Sequence, residues 1–217
     1  MITLIAFDLD GTLAESKQAI ESDMAEALSE LLAVAHVAIT SGGDWPQFHK
    51  QIASRLPPFA DLSKLWLMPT TGTKPYAYRD GAWQVVYAEL FSDHERLNIF
   101  KAFELSLRIT FSALGQQAPV EEKQHWVPDF AKRKVIQADL RTRLFGLSIN
   151  MGGATSIDIT REGVDKGYGL KKLRDTSGIP LEQMMFIGDA IFLGGNDYPA
   201  KEIRLETVKV RNPLFRF

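Results

Sequence analysis

The first twelve residues constrain the fold more than any other part of the chain. Ile2-Thr-Leu-Ile-Ala-Phe7 is apolar without alternation and runs directly into Asp8-Leu9-Asp10-Gly11-Thr12. A short unbroken apolar run predicts a strand buried on both faces, the kind found in a parallel sheet. Parallel strands need crossover connections, usually helical, so the chain must be α/β. Ligands of open α/β sheets bind outside the carboxyl ends of the strands. Two acids at that edge, one residue apart on a glycine turn, therefore form a candidate site. Asp-Gly alone signals only a turn. It is the strand leading into Asp-x-Asp-Gly-Thr that points to chemistry. One carboxylate can attack phosphorus and hold Mg²⁺. The other can offer its carbonyl to the metal and its side chain to proton transfer.

Further elements follow in α/β order. A helix start is read at Asp23 with Glu26, and Ile20, Met24, Leu28 and Leu32 supply one apolar face. Residues 36–40 predict a second buried strand. Asp44 caps a helix with Pro46 in its first turn and Phe48, Ile52 and Leu56 along its stripe. Residues 65–68 predict a third strand, and 76–87 a hairpin turning at Asp80-Gly81. The pattern then changes. Ser92 and Glu95 form a capping box before a helix carrying Ile99, Phe100 and Phe103. Residues 108–113 read as a strand, 116–128 as a loop and 129–145 as a charged amphipathic helix with Val135, Ile136, Leu140 and Leu144 inward. Residues 155–160 alternate like a strand. The α/β pattern resumes with a helix near 167–174 and strands at 184–188 and 206–210. The expectation is an α/β core of residues 1–87 and 161–217, interrupted by an α+β insert of residues 88–160.

Composition excludes several classes. In 217 residues, Lys+Arg 25 and Asp+Glu 27 give a net charge of −2, which lacks the basic footprint of a nucleic-acid binder. There is no cysteine, hence no disulfide framework, thiolate metal site or cysteine nucleophile. No apolar run approaches the ~20 residues of a spanning helix, and the start is not that of a signal peptide. The expectation is a cytoplasmic protein with no nucleic-acid or membrane partner, a monomer or homodimer, acting on a small phosphorylated substrate.

Three later motifs join the first. Thr40-Ser41-Gly42-Gly43-Asp44 ends the second strand, where a hydroxyl and free amides can bind phosphoryl oxygens. Asp165-Lys166-Gly167 opens a helix. Phe186-Ile-Gly-Asp189 ends a buried strand and is followed by Gly194-Gly-Asn-Asp197, a source of hard oxygen ligands. Lys132-Arg133-Lys134 reads as a solvated helix face.

In this order the motifs resemble the haloacid dehalogenase superfamily of phosphotransferases. The resemblance implies a Rossmann-like parallel-sheet core with an inserted C2-type cap. A closer resemblance is to the eukaryotic-type phosphomannomutases. It is carried by Ser41-Gly-Gly-Asp44, Gly152-Gly153 with Ser156-Ile-Asp158-Ile, Gly163-Val-Asp-Lys166 and Gly188-Asp189 spaced to Gly194-Gly-Asn-Asp197. It implies Asp8 as nucleophile, Asp10 as general acid and base, and Ser41, Gly42 and Lys166 as phosphoryl holders. It also implies Mg²⁺ on Asp8, the Asp10 carbonyl and Asp189, with Asp197 behind them. Ser156 and Asp158 match sugar-phosphate contacts of the cap. The mutase cap also carries a run of arginines, and here Leu105, Gln116 and Lys123 stand in their place. Holding a bisphosphate intermediate by its distal phosphate favours planar, bidentate arginine. The sequence is therefore read as a Mg²⁺-dependent phosphohydrolase working through an aspartyl phosphate on a sugar phosphate. A phosphomannomutase is the alternative of the same chemistry. A non-catalytic binding module is the alternative of another class, disfavoured by the intact Asp8, Asp10, Lys166 and Asp189.

Overall fold

The computed structural model describes residues 1–109, 131–152 and 156–213. They form two compact units, Met1–Glu89 with Val164–Phe217, and Leu90–Gly163.

The first unit is built on a seven-stranded sheet. Its strands are β1 Leu4–Asp8, β2 His36–Thr40, β3 Leu65–Met68, β4 Tyr76–Arg79, β5 Ala82–Val85, β8 Met184–Gly188 and β9 Glu206–Lys209. They lie in the order β5-β4-β3-β2-β1-β8-β9. β1 pairs in parallel with β2 on one side and β8 on the other. β3 and β9 extend the parallel set, while β4 and β5 form the antiparallel hairpin. Side-chain alternation sends the strands into two cores. Val37, Ile39, Leu65 and Leu67 pack with Leu28 and Leu32 of helix α1, Ser22–Val34. Ala38, Trp66, Met68 and Phe186 pack with Leu170 and Leu173 of helix α5, Lys166–Ser177, and with Ala200 of helix α6, Tyr198–Glu202. A sheet sandwiched by helices explains why β1 needs no polar face. Phe186 is fully buried, so truncation to alanine costs about 3–5 kcal/mol.

The connections deviate from regular periodicity at informative places. Helix α1 begins at Ser22, with Glu21 rather than Asp23 in the cap position. The helix after β2 has only Trp45–Phe48, α2, in α form, and continues as a π turn over His49–Ala53. A single π turn inside a helix frequently marks a functional site. Here it turns Gln51 inward, where it is almost completely buried.

The second unit contains helix α3, Asp93–Ile109, helix α4, Ala131–Arg143, and the antiparallel pair β6 Leu147–Gly152 and β7 Ser156–Arg161. The capping box forms: Ser92 N donates to Glu95 Oε2 at 2.7 Å, and Glu95 N to Ser92 Oγ at 3.2 Å. Ala102, Ile136, Leu140, Leu144 and Ile149 make its core, with Ile157 and Ile159 against them. Three expectations are corrected. Residues 108 and 109 are helical, because the periodicity of α3 continues through them; 110–113 and the loop read at 116–128 lie outside the described residues. Phe100 and Val135 are exposed, since the buried stripe follows Ile99, Ala102 and Phe103 on α3 and Ile136 and Leu140 on α4. Arg133 is buried although Lys134 beside it is exposed, so 132–134 is not a uniformly solvated face. Strand β6 was not expected, although Leu147, Ile149 and Met151 alternate with polar residues along it.

Candidate active site

The opposite crossovers on either side of β1 leave a crevice at the carboxyl ends of β1, β2 and β8. Asp8 ends β1, Thr40 ends β2 beside it, and Gly188 ends β8, so Asp8, Ser41 and Asp189 arrive at one edge. Asp165 caps α5, its Oδ1 accepting Tyr168 N at 2.8 Å. That cap puts Lys166 in the first position of the helix, buried and pointing at Asp8. Gly167 next to it lies where a β-carbon would stand 2.9 Å from Pro199 O, which permits the close approach of α5 and α6.

Lys166 Nζ donates to Asp8 Oδ1 at 2.5 Å and also to Asp197 Oδ1. Asp197 Oδ2 accepts Ala190 N at 2.9 Å, and Asp8 Oδ2 accepts the Thr12 hydroxyl at 3.4 Å. Carboxylate oxygens of Asp8, Asp189 and Asp197 lie within 4.8 Å of one another. Gly11, at φ +91°, turns the chain beneath them; a β-carbon there would sit 2.7 Å from Asp189 Oδ2. Left-handed backbone and close contact together require glycine at this position.

Electrostatics follow from three acids sharing one ammonium. Burial pushes the Asp8 carboxyl up to about 6; Lys166 pulls it back, while Asp197 and Asp189 add to the rise. Asp189 is raised by burial and by Asp197. Burial alone would weaken the Lys166 charge, but Asp8 and Asp197 outweigh it and hold its pKa above the ordinary lysine value. The cluster keeps an excess of about two negative charges when ionised. An all-oxygen donor set with that excess suits a hard divalent cation such as Mg²⁺.

Asp10 sits apart from this cluster and is held by neutral donors. Lys17 N reaches its Oδ1 at 2.7 Å, and the Ser41 hydroxyl its Oδ2 at 3.4 Å. Gln47 Nε2 reaches Oδ2 at 3.1 Å and Gln51 Nε2 reaches Oδ1 at 3.2 Å. Ser41 Oγ in turn accepts Gly43 N at 3.2 Å. Gly42 is exposed at the turn. The arrangement therefore separates a buried, metal-compatible carboxylate from a more accessible one oriented by hydrogen bonds. That division suits nucleophilic attack by one acid and proton transfer by the other.

Asp8, Asp10, Ser41, Lys166, Asp189 and Asp197 thus gather in the first unit. Asp158 is exposed on β7 of the second unit, two residues after Ser156, with Ile157 and Ile159 turned to the helices. Thr12 closes the first motif but was given no role from sequence, and Gln47 and Gln51 were not singled out, because glutamines in a helix carry no motif of their own.

The comparisons place this geometry among known proteins. The family model described as "Eukaryotic phosphomannomutase" matches residues 99–213. A probable phosphomannomutase of Caenorhabditis elegans is 28% identical over 221 residues, covering 90% of this chain and 85% of its own. Among solved structures, an N-terminally truncated IMP-nucleotidase of Plasmodium falciparum superposes with a TM-score of 0.71 at 16% identity, over 98% of this chain and 67% of that one. A haloacid dehalogenase-like hydrolase from Bacteroides thetaiotaomicron gives 0.67 at 17% identity, over 94% and 86%. The structural likenesses establish the fold. The curated relatives favour the mutase alternative over the phosphohydrolase read from sequence. Among the described residues no helix is long and apolar enough to cross a membrane.

Proposed function

The chain belongs to the eukaryotic phosphomannomutase family, within the haloacid dehalogenase superfamily, and from that premise we propose that it moves a phosphoryl group between oxygens of a hexose phosphate through an aspartyl phosphate on Asp8. It is an enzyme of the phosphatase and phosphotransferase type. The observation that carries the finer reading is the pairing of buried Asp8 with Lys166, set beside a separately oriented Asp10.

In this reading an Asp8 oxygen attacks phosphorus in line and the bond to the sugar oxygen breaks. The Asp10 carboxyl gives its proton to that leaving oxygen. For the return, a free hydroxyl of a hexose monophosphate gives its proton to Asp10 and takes the phosphoryl group from Asp8, giving a hexose bisphosphate whose other phosphoryl group then passes back to Asp8 as its bond to the sugar oxygen breaks. Lys166 and Ser41 hold phosphoryl oxygens and offset developing charge. Asp8, the Asp10 carbonyl and Asp189 would hold Mg²⁺, which adds further charge stabilisation when bound. Asp197 orients Lys166 from behind. Residues 90–163 serve as the cap, with Ser156 and Asp158 meeting the sugar phosphate.

One observation favours hydrolysis as a second reading. Leu105 on α3 is an exposed leucine where the mutase pattern has an arginine; Gln116 and Lys123 lie outside the described residues. The deciding experiment follows mannose 1-phosphate by phosphorus NMR with Mg²⁺ and a hexose 1,6-bisphosphate activator. Mannose 6-phosphate forming faster than inorganic phosphate supports the mutase. Inorganic phosphate alone supports the hydrolase, and no reaction with any hexose phosphate refutes both.

A further inference from the structure

We infer that Gln47 and Gln51 are positioning residues that hold both oxygens of Asp10 in register for proton transfer. The inference rests on the phosphoryl-transfer reading above. The two residues are four apart, which places them as neighbours on one helix face. Gln47 grips Oδ2 and Gln51 grips Oδ1, so the carboxyl plane is fixed from both sides.

Three features show that the chain is shaped around these amides. First, Gly43 leaves room for Gln47: a β-carbon at 43 would stand 2.5 Å from Gln47 Cδ and 2.8 Å from its Nε2. Second, the π turn brings Gln51 inward, closed by Ser54 N donating to His49 O at 2.9 Å. From there its amide also donates to Gln18 O at 2.5 Å, and the Gln51 backbone carbonyl accepts Ile20 N at 3.0 Å. It therefore ties Asp10 to the loop leaving the first motif. Third, Gln51 Oε1 is buried without a hydrogen-bond partner among the described residues. A buried, unpaired acceptor is a cost that stability alone does not explain. It is the expected by-product of aiming the other end of the amide at Asp10.

The choice of glutamine also fits the task. An amide donates without adding charge. It orients the carboxyl without the permanent bias toward ionisation that an ammonium would impose. Asp10 must both give and accept a proton in one cycle, so neutral donors serve both halves.

The test uses isosteric variants without donors, Gln47→Met and Gln51→Met, and compares two phosphoryl donors. Mannose 1-phosphate has an alkoxide leaving group that needs a proton as the bond breaks. The p-nitrophenolate of p-nitrophenyl phosphate leaves unprotonated. Single-turnover phosphoenzyme formation is measured for each with Mg²⁺ present. The expected result is a loss of roughly 10- to 100-fold with mannose 1-phosphate and within about threefold with p-nitrophenyl phosphate, since proton transfer contributes ~10²–10⁴. The melting temperature of Gln51→Met is recorded alongside, since the change removes one orphan acceptor but also the donor to Gln18 O. If that variant fails to fold, half-buried Gln47→Met carries the test. Equal loss with both donors, or loss with neither, overturns the positioning role while leaving the reaction in place. No phosphoenzyme in the unsubstituted protein overturns the phosphoryl-transfer reading and this inference with it.

Discussion

Asp197 seats its carboxyl over the bare α-carbon of Gly188, in the space a β-carbon would fill. A methyl there would stand 2.8 Å from Asp197 Cγ and 2.8 Å from Phe186 Cε1, and would overlap Oδ2. Gly188 has no positive φ, so close packing alone calls for glycine. Asp197 is fully buried and holds Lys166, and Lys166 holds Asp8. Gly188→Ala should therefore act at a distance, pushing Asp197 and dragging the lysine off Asp8. Overpacking of this kind costs about 1–3 kcal/mol. Denaturant melts should show that loss, with turnover falling further than stability accounts for at a temperature where the variant stays folded. Wild-type turnover in the variant would show that the Asp197–Lys166 contact does not position Asp8.

Asp8→Asn tests the nucleophile. The amide keeps the shape of the side chain, and Lys166 retains Asp197 as its partner. The variant should fold, and its turnover should fall on the order of 10³-fold or more, as expected when a nucleophile is removed. Acid-quenched mass spectrometry after mixing with substrate should show a phosphoryl adduct on the unsubstituted chain and none on the variant. An adduct of equal yield on the variant would move the nucleophile elsewhere.

The sequence made the acids legible and left their supports hidden, for a physical reason. Asp8, Asp10, Lys166 and Asp189 sit at ends of strands or the start of a helix, where apolar runs stop abruptly and leave a sharp signal. Gln47 and Gln51 lie in a polar helical stretch, where glutamine is indistinguishable from surface. The π turn that buries Gln51 interrupts the 3.6-residue period without any residue that announces it. Arg133 is buried between two lysines, and Phe100 is exposed among apolar neighbours; tertiary packing decides both. The α/β order was readable because the central parallel strands β1, β2, β3 and β8 are apolar runs, whereas β6, with Leu147, Ile149 and Met151 alternating with polar residues, carries a strand signal that went unread.

The pKa of Asp8 predicts how Mg²⁺ binding responds to pH. Burial lifts this carboxyl from 3.8 to about 6. Between those values the folded chain holds a proton that the unfolded chain has lost. The folded state then binds more protons, so this group's contribution to stability declines as pH rises through that window. Above about 6 the carboxylate is ionised and available to a cation, and below it proton and metal compete. The rise in melting temperature on adding Mg²⁺ should be larger at pH 7.5 than at pH 5, and small in Asp8→Asn at both. A shift of equal size at both pH values in the unsubstituted protein would mean that the metal does not depend on ionising Asp8.

The last prediction concerns the fate of the aspartyl phosphate. Mutase and hydrolase share every residue of the first unit up to that intermediate, so the partition must be set by what retains the bisphosphorylated sugar. Retention depends on contacts to the distal phosphate, which a guanidinium makes in bidentate fashion. The resemblance sets Leu105 in the place of one such arginine; the residue is exposed on α3, so a longer polar side chain can be accommodated without disturbing the core of Ala102, Ile136 and Leu140. A hydrogen bond to a charged group contributes about 1.5–3 kcal/mol. At 1.4 kcal/mol per tenfold, restoring one should slow escape of the intermediate by roughly 10- to 100-fold. Leu105→Arg should therefore raise the ratio of mannose 6-phosphate formed to inorganic phosphate released, with the rate of phosphoenzyme formation unchanged. Both products are followed in one time course with a hexose 1,6-bisphosphate present. An unchanged ratio would show that position 105 does not govern retention, and that the leucine there does not tilt the enzyme toward hydrolysis.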